Sequence, residues 1–517
     1  MILISLILCI ILYYTVKLWP MFRKLRRLPH GPRSWIYGDV KDLLPSPFGN
    51  CREPLGVAAR KFMEERNEKY WYKHKVFSFW VFWYPFVNIT DPDMIETVLK
   101  DHLDKPAAYF LLRQAMKEGL LTSNGNKWKV RRRQVRPSLA KKPCEDFMVN
   151  FNDVTLKWLH VLYDLDGKQT SVDELYVDPV LEIVFQTIFG IDYTQADIDK
   201  IKKYLFLAQD NADQILACYL NPIKWIPAVF NILEKNRVAK LTKGYWETID
   251  WIASQSLKKW GKTESNGGKV IESDSNSDET TGSDKPYEAY AEILVKLYLK
   301  SESKGDKSFT RENLIEELAT AFIGGFETTV RALTWTTYLL ACHPEIQEKA
   351  RAEVDRLFVN DKNEVETEDL KDLVLVEGSI REAMRLFPAL TFLSRRASHD
   401  FEIGGYEIPK GVSVVIPVWS IQRCPEYYPN PNSFIPERYT TEGQAGRSPY
   451  LYLPFSGGPR GCIGQLYSWF EMKTIMAHIL RNFIIHTPLS YKEFEYCFNF
   501  QQKATGPLMV SFEKREH

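Results

Sequence analysis

The chain has 517 residues and a formal net charge of +1 at pH 7, with 45% hydrophobic and 26% charged residues. This composition is that of a globular protein with material for a large core, and the balanced charge gives no field that would favour nucleic acid as a partner. The eight cysteines are scattered without a CxxC pair. We therefore expect neither a disulfide framework nor a structural zinc site.

The chain opens with an apolar run. Residues 2–19 are apolar or aromatic apart from Ser5, Thr15 and Lys17, and about 18 such residues just suffice to span a bilayer. The alternative, a cleaved signal peptide, would need positive charge before the run and a small-residue cleavage site after it. The positive-inside bias puts the amino terminus outside and the rest in the cytosol, because basic residues only follow the run: Arg23, Lys24, Arg26, Arg27 and Arg33.

The next signal lies at Asn88-Ile89-Thr90, which matches a glycosylation acceptor. We interpret it as the unmodified end of a strand. The two residues after it, Asp91 and Pro92, supply the N-cap and first residue of a helix.

Trp128 and Arg132 lie one helical turn apart in a basic run and would share a helix face. A different face of the same helix would carry three further cations, Lys129, Arg133 and Arg136. Taken alone, such a run is typical of a solvated surface, and it could also bind an acidic partner.

Residues 261–286 contain almost no large apolar side chains and predict a disordered surface insertion. We favour an insertion within one domain over a linker between two. The expected organisation is an anchor with a basic juxtamembrane segment over residues 1–28, followed by a single domain over residues 29–517.

A long helix is predicted over Arg311–Cys342, with Thr310 as its N-cap and His343-Pro344 as its end. Its midpoint holds two adjacent glycines, Gly324 and Gly325, which should cost about 1 kcal/mol each against alanine. Glycine permits close helix packing, but it also leaves room for a ligand beside the backbone. Four residues after Gly324, Thr328 can bond back to its carbonyl.

Two further patterns follow the long helix. Glu382 and Arg385 form an E-x-x-R pair, a spacing that also occurs at Glu348 and Arg351 and usually marks a solvated ion pair. Residues 401–419 predict two short strands, with a tight turn at Gly404-Gly405 and a valine-rich second strand.

The strongest signal is a glycine-rich loop that leads into a helix and reads Phe455-x-x-Gly458-x-Arg460-x-Cys462-x-Gly464. A cysteine at a helix N-terminus is biased towards thiolate. The glycines allow a sharp loop and the close approach of a planar group. The alternative is a structural cysteine in a glycine-rich turn.

This loop resembles the haem-binding loop of the cytochromes P-450. The helix motif around Thr328, the Glu382/Arg385 pair and Arg438 in Pro436-Glu-Arg-Tyr439 stand in the family's order. The resemblance covers roughly residue 87 to the end. It implies an α+β fold that is mainly α-helical with small sheets, and a haem whose iron is bound by the Cys462 thiolate.

The resemblance also implies roles for individual residues. The cofactor would be bound by Trp128, Arg132, Gly325, Arg395, Phe455, Arg460, Cys462 and Gly464. Glu327 and Thr328 would organise water and relay protons. Glu382, Arg385 and Arg438 would form a buried structural cluster.

The sequences of residues 118–128, 471–475 and 480–483 are similar to those of the fourth family of these enzymes and its insect relatives. Many mammalian members of that group place a glutamate that links covalently to the haem where this chain has Gly324. We therefore expect non-covalent haem.

The expected activity is monooxygenation of an apolar substrate, namely a fatty acid, hydrocarbon, hormone-like lipid or xenobiotic, at the endoplasmic reticulum membrane. The electron partners would be an NADPH-dependent reductase and cytochrome b5, because the chain lacks a G-x-G-x-x-G dinucleotide fingerprint. Two alternatives stay open: a haem-thiolate isomerase or dehydratase, and a haem-binding or lipid-carrier protein without turnover. Candidate substrate walls, for which ordinary core packing is an equal interpretation, are Phe110, Leu120, Phe322, Ile323, Leu390 and Phe392.

Overall fold

The computed structural model describes residues 19–31, 33–34, 37–44, 51–82, 84–107, 109–210, 224, 227–265, 288–359, 362–489, 495–498 and 502–516. The predicted membrane span lies outside these residues except at its last position. Within them, no helix is both long enough and apolar enough to cross a membrane.

Helices make up most of the described chain. In the first half they are α1 (Leu55–Lys69), α2 (Pro92–Asp101), α3 (Tyr109–Met116), α4 (Gly125–Val135), α5 (Lys141–Asp146), α6 (Met148–Asp164), α7 (Val172–Leu175), α8 (Val177–Val184), α9 (Gln195–Asp210), α10 (Pro227–Leu233) and α11 (Lys235–Ser265). In the second half they are α12 (Tyr290–Ser303), α13 (Arg311–Cys342), α14 (Pro344–Leu357), α15 (Val374–Leu386), α16 (Val418–Ile421), α17 (Thr441–Gln444) and α18 (Gln465–Asn482).

The strands are short and form small sheets. They are β1 (Val76–Val81), β2 (Tyr84–Ile89), β3 (Thr170–Ser171), β4 (Leu393–Arg396), β5 (Phe401–Ile403), β6 (Tyr406–Ile408), β7 (Ser413–Ile416), β8 (Phe483–His486), β9 (Tyr496–Phe498), β10 (Gln502–Ala504) and β11 (Met509–Lys514). The largest sheet has the order β1-β2-β7-β4, in which β2 and β7 are parallel. The others have the orders β3-β11-β8, β9-β10 and β5-β6.

The long helix α13 has the predicted bounds. Thr310 Oγ1 accepts a hydrogen bond from the Asn313 N–H at 3.3 Å, which caps the first turn. The helix runs through the main apolar core and packs against α8, α11, α12, α14, α15 and α18. A helix buried on most sides can carry functional groups at its centre, away from the surface.

The strand predicted to end at Asn88-Ile89 is β2. Asn88 is buried, so it is not an accessible acceptor for a glycan. Asp91 caps α2 by accepting the N–H groups of Asp93 and Met94, and Pro92 is the first helical residue, as predicted.

The prediction for residues 401–419 is wrong in part. Gly404 and Gly405 form the expected turn with positive φ, but that turn joins the short strands β5 and β6. The valine-rich strand is β7, a third strand that belongs to the largest sheet. Pro409 and Gly411, which has φ +88°, interrupt the run and separate β6 from β7.

The disordered insertion was predicted to begin at residue 261, and this start is too early. Residues 261–265 form the last turn of α11, because Trp260 anchors the helix by donating from Nε1 to the Phe189 carbonyl at 3.1 Å. An anchored helix can add a polar turn through backbone hydrogen bonds alone. Residues 266–286 lie outside the described residues.

The segment before the first sheet packs onto it. Residues 19–25 are helical, Leu25 and Leu28 are buried, and the Phe22 ring stacks on Trp80 of β1 at 5.2 Å between centroids. Lys24 lies 3.2 Å from Glu407 of β6. This segment is therefore part of the folded body.

Candidate active site

The cysteine loop is held in one shape by its backbone. The Cys462 N–H donates to the Phe455 carbonyl at 2.8 Å, which closes the loop just before α18 begins. Gly458 has φ +65°, and a Cβ there would lie 2.5 Å from the Leu99 carbonyl oxygen of α2. Only glycine fits this contact, so the loop is pressed against α2.

Cys462 is exposed, and yet burial is the largest effect on its thiol and raises its pKa. The two observations agree if the thiol faces a cavity inside the fold. The Gly464 N–H and the charge of Arg132 oppose the effect without cancelling it. The expected thiolate bias of a helix N-terminus is therefore outweighed by burial, whereas a coordinated metal ion would deprotonate the thiol outright.

Arg460 lies across the ring of Trp128 from α4, with 4.0 Å between the guanidinium carbon and the ring centroid. Its Nη2 donates to the Ser123 carbonyl at 2.7 Å. Its Nε and Nη1 are buried and find no hydrogen-bond partner among the described residues. Burial and the nearby Arg395 lower the Arg460 pKa.

Arg395, in β4, is 0% exposed. Its Nη2 donates to Ser456 Oγ of the cysteine loop at 3.3 Å. Its Nε has no partner in the described part of the chain. Strand β4 thus places a buried cation in contact with the cysteine loop.

Lys105 is a member of this site that the sequence did not reveal. Its backbone N–H donates to Asn124 Oδ1 at 2.8 Å, and Asn124 Nδ2 donates back to its carbonyl at 3.3 Å, which ties it to the start of α4. Burial, together with Arg395 and Arg460, lowers the pKa of Lys105 well below its usual value. A lone lysine in a loop carries no spacing signal, so only the fold identifies it.

Lys105, Arg132, Arg395 and Arg460 form what we call the cation group. Among the residues that the structure describes, none of the four forms an ion pair with a carboxylate. Buried cations are normally paired. A dianionic ligand would satisfy the group and its spare guanidinium donors, and the two propionates of haem fit this requirement.

The two central glycines of α13 face different neighbours. A Cβ on Gly325 would meet Ile188 at 3.1 Å and Val184 of α8 at 3.4 Å, whereas a Cβ on Gly324 would meet no described atom within 4 Å. Gly325 therefore packs closely against α8 and the residues after it, and its expected contact with the cofactor stays a prediction. Gly324 is the glycine that opens onto free space.

Thr328 Oγ1 donates to the Gly324 carbonyl at 2.9 Å, as expected. Burial raises the pKa of the neighbouring Glu327, and the charge of Arg331 partly offsets the rise. The pair thus offers a hydroxyl group and a carboxyl group whose pKa is raised.

Glu471 of α18 is a buried acid that the sequence motifs did not mark. Thr329 Oγ1 donates to its Oε2 at 3.4 Å. Its Oε1 has no partner among the described residues. Burial raises the Glu471 pKa well above its usual value, and through this carboxyl group the helix after the cysteine loop contacts α13.

Glu382, Arg385 and Arg438 form a buried network that we call the Glu–Arg–Arg cluster. Arg385 donates Nε and Nη2 to the two Glu382 oxygens at 2.7 and 2.8 Å, and Arg438 Nε donates to Oε1 at 3.2 Å. Both arginines also donate to backbone carbonyls: those of Gln422, Pro431 and Ser433 for Arg385, and those of Pro429 and Asn430 for Arg438.

The other candidates divide between surface and core. Lys129 and Arg133 are exposed on α4 and Arg136 is exposed directly after its end, whereas Trp128 is buried. Among the candidate walls, Phe322 is 1% exposed and stacks on Phe326 within the core, whereas Leu390 and Phe392 are exposed large apolar residues.

Comparison with known proteins gives consistent matches. Residues 55–508 match the family model described as Cytochrome P450. The chain is 28% identical over 503 residues to Cytochrome P450 4c21 of Blattella germanica, covering 95% of this chain and 94% of that one. It is 30% identical over 420 residues to Cytochrome P450 4V2 of Homo sapiens, covering 80% and 78%, and 29% identical over 410 residues to Cytochrome P450 4c3 of Drosophila melanogaster, covering 78% and 75%.

Proposed function

The chain belongs to the cytochrome P450 family and is a haem-binding monooxygenase, and from this premise we propose that it oxidises an apolar, lipid-like substrate with electrons passed from NADPH by a separate reductase. The observation that carries the proposal is the cysteine loop with the nearby cation group, for which the described residues supply no carboxylate partner. That arrangement supplies one thiol for iron and several donors for two carboxylates.

Haem, when bound, supplies the redox chemistry that activates dioxygen. Cys462 would bind the iron, and Trp128 and the cation group would hold the propionates. Phe455 would cover the sulfur side of the loop, where its ring already packs edge-on against Trp469 at 5.6 Å. Because Gly324 carries no side chain that could form an ester, the haem would be held without a covalent bond.

On the side of the haem opposite the cysteine loop, Thr328 and Glu327 would relay protons. Burial raises the pKa of the Glu327 carboxyl, so it would give up a proton less readily than an ordinary glutamate, and the Thr328 hydroxyl could pass one on while bonded to the Gly324 carbonyl. Leu390 and Phe392 would contact an apolar substrate. The exposed cations Lys129, Arg133 and Arg136 would attract an acidic electron donor such as the reductase or cytochrome b5.

We also propose that residues 1–28 anchor the protein in the endoplasmic reticulum membrane with the catalytic body in the cytosol. The start of the described chain supports this, because residues 19–27 leave Trp19 and three arginines exposed: Arg23, Arg26 and Arg27. Aromatic and basic side chains are typical of a membrane interface. Alkaline carbonate washing of microsomes tests it, and release of the full chain would overturn it.

The test of the ligand assignment is a carbon monoxide difference spectrum of the reduced protein. We expect a strongly red-shifted Soret band that is lost in Cys462→Ala and kept in the control Cys51→Ala, which alters a partly exposed thiol elsewhere. A haem-loaded, folded parent without this band would contradict ligation by Cys462.

The test of the activity is product formation in a reconstituted system with reductase, NADPH and a panel of fatty acids and hydrocarbons. Thr328→Val should lower the rate of product formation without lowering haem content. Thr320→Val should not, although it removes the same kind of back-bond to the Glu316 carbonyl on the same helix. Product made without oxygen and reductase would favour an isomerase instead.

A further inference from the structure

Residues 117–124 join α3 to α4, and we call them the connecting turn. The Ser123 N–H donates to the Gly119 carbonyl at 2.9 Å, which closes the turn on itself. A Cβ on Gly119 would lie 2.3 Å from the Glu316 carbonyl oxygen of α13, so a residue with a side chain could not make this contact. The backbone of the turn is therefore pressed directly against the long helix.

Two consecutive glutamates of α13 accept hydrogen bonds from the backbone of the connecting turn. Glu316 Oε1 accepts the Glu118 N–H at 3.3 Å, and Glu317 Oε2 accepts the Leu120 N–H at 3.0 Å. Glu317 is 0% exposed, and its Oε1 finds no hydrogen-bond partner in the described ranges. The buried carboxyl is thus directed at the Leu120 N–H, and the loss of this bond would be costly because water cannot replace it.

The charges around Glu317 come from α4 and from its own helix. Arg131 Nε lies 3.8 Å from Glu317 Oε1, and Lys127 and Glu316 also act on the carboxyl group. Burial is the largest effect and raises the Glu317 pKa to about 7, whereas the Leu120 N–H and the two cations lower it. Burial of a carboxyl group is unfavourable unless its contacts compensate, so Glu317 depends on the N–H of the turn and on Arg131.

The far end of the connecting turn holds two members of the cation group. Arg460 Nη2 donates to the Ser123 carbonyl at 2.7 Å and to Asn124 Oδ1 at 3.3 Å. Asn124 also exchanges hydrogen bonds with the backbone of Lys105. Among the residues that the structure describes, Glu317 forms no hydrogen bond or ion pair with a member of this group. The turn therefore connects Glu317 to these cations.

We propose that Glu317 is a positioning residue for haem binding, which fixes the connecting turn through Leu120 and so places Arg460 and Lys105 against the propionates. The proposal rests on the role of the cation group proposed above. Without the acceptor at Glu317, the turn would move away from α13, and the Ser123 carbonyl would no longer hold the Arg460 guanidinium in one orientation. Haem would then lose a well-placed donor although every cation is still present.

The experiment is a double-mutant cycle on the rate at which the haem-loaded enzyme transfers haem to an excess of an acceptor protein. Glu317→Leu should speed the loss about threefold or more, because residues of one hydrogen-bond network are coupled. Arg460→Gln should speed it about tenfold or more. The double variant should lose haem no faster than Arg460→Gln alone, whereas independent effects would multiply.

Two further variants serve as controls. Glu317→Gln keeps an oxygen that accepts the Leu120 N–H, so it should retain haem nearly as the parent does, and this rescue separates the hydrogen bond from the charge. Glu312→Leu makes the same substitution on the same helix, at a side chain that is 68% exposed and lies 3.5 Å from Lys117 of the turn. A surface ion pair contributes little, so this variant should also retain haem.

Hydrogen exchange provides a second measurement that does not depend on the folding of a Glu317 variant. Coupling between two sites is reciprocal, so a change at Arg460 should be felt at the other end of the connecting turn. In the haem-loaded enzyme, Arg460→Gln should speed amide exchange at residues 118–123 by about threefold or more. Mass spectrometry of peptides that cover these residues measures the rate.

Three results would overturn the proposal. Glu317→Leu could retain haem like the parent while Arg460→Gln loses it, the effects of the two substitutions could multiply in the double variant, or exchange at residues 118–123 could be the same in Arg460→Gln and the parent. Normal haem retention by Arg460→Gln alone would instead contradict the assignment of the cation group to the propionates, and the role of Glu317 would fall with it.

Discussion

Two groups of charged residues in this protein, one buried and one mostly buried, differ in whether the chain supplies its own counter-charge. In the Glu–Arg–Arg cluster, Glu382 bonds both arginines, and backbone carbonyls accept their other donors. In the cation group, four basic side chains converge and no described carboxylate pairs with them. A complete network indicates a structural role, whereas an incomplete one indicates a ligand.

The largest effect should come from breaking the complete network. Glu382→Gln leaves two buried guanidinium groups without their anion, which typically costs about 3–5 kcal/mol. We expect a large drop in the free energy of unfolding, measured by urea denaturation. The matched control is Glu348→Gln, which removes an E-x-x-R partner whose side chain is 68% exposed and should change stability by less than about 1 kcal/mol. Equal effects would show that burial of the cluster is unimportant.

The incomplete group should respond in the opposite way. Arg460→Gln removes a cation from a site of like charge, so we expect the unfolding free energy of the apoprotein to change by less than about 1 kcal/mol. Haem should dissociate about tenfold faster or more, because a charge-assisted hydrogen bond to a propionate is lost. Transfer of haem to an excess of an acceptor protein measures this rate. Arg133→Gln should retain haem as the parent does.

The pH dependence sharpens the same contrast. Burial and two neighbouring cations lower the pKa of Lys105, and a bound propionate would raise it again, so haem binding takes up a proton. Above the lowered pKa, haem affinity should fall as pH rises, by at most roughly tenfold per pH unit. Lys105→Arg, which stays protonated, should show a flatter profile in haem titrations. Identical profiles would mean that Lys105 does not face the haem.

The smallest effect is expected at Glu471, a buried acid without a cation. Its pKa is raised well above that of an ordinary glutamate, so below pH 4 the folded carboxyl is neutral and Glu471→Gln should alter stability there by no more than about 1 kcal/mol. As pH rises through the ordinary pKa of glutamate, the unfolded carboxyl ionises and the folded one does not, so the parent loses stability relative to the variant. Urea midpoints between pH 4 and pH 8 test this, and a constant difference would contradict it.

Sequence analysis succeeded where the chemistry is local. Thr310, Asp91 and Pro92 mark helix ends because a cap is made by residues one turn apart. The spacing around Cys462 likewise fixes a loop and the start of a helix. These features could be predicted without knowing any distant contact.

It failed where a role depends on tertiary neighbours. Lys105 joins the cation group only because Asn124 binds its backbone. The sequence predicted that the valine-rich strand β7 pairs across the Gly404-Gly405 turn. This prediction was wrong because sheet pairing brings together residues far apart in the chain. No local pattern encodes such contacts.

The packing of residues 19–25 onto β1 has a mechanical consequence. Several contacts must break together before the folded body can rotate relative to this segment. Phe22 stacks on Trp80, Leu25 and Leu28 are buried, and Lys24 lies beside Glu407. The start of the described chain therefore acts as a stiff joint. The angle between this helix and the sheet is fixed, and so is the direction in which Leu390 and Phe392 face relative to it.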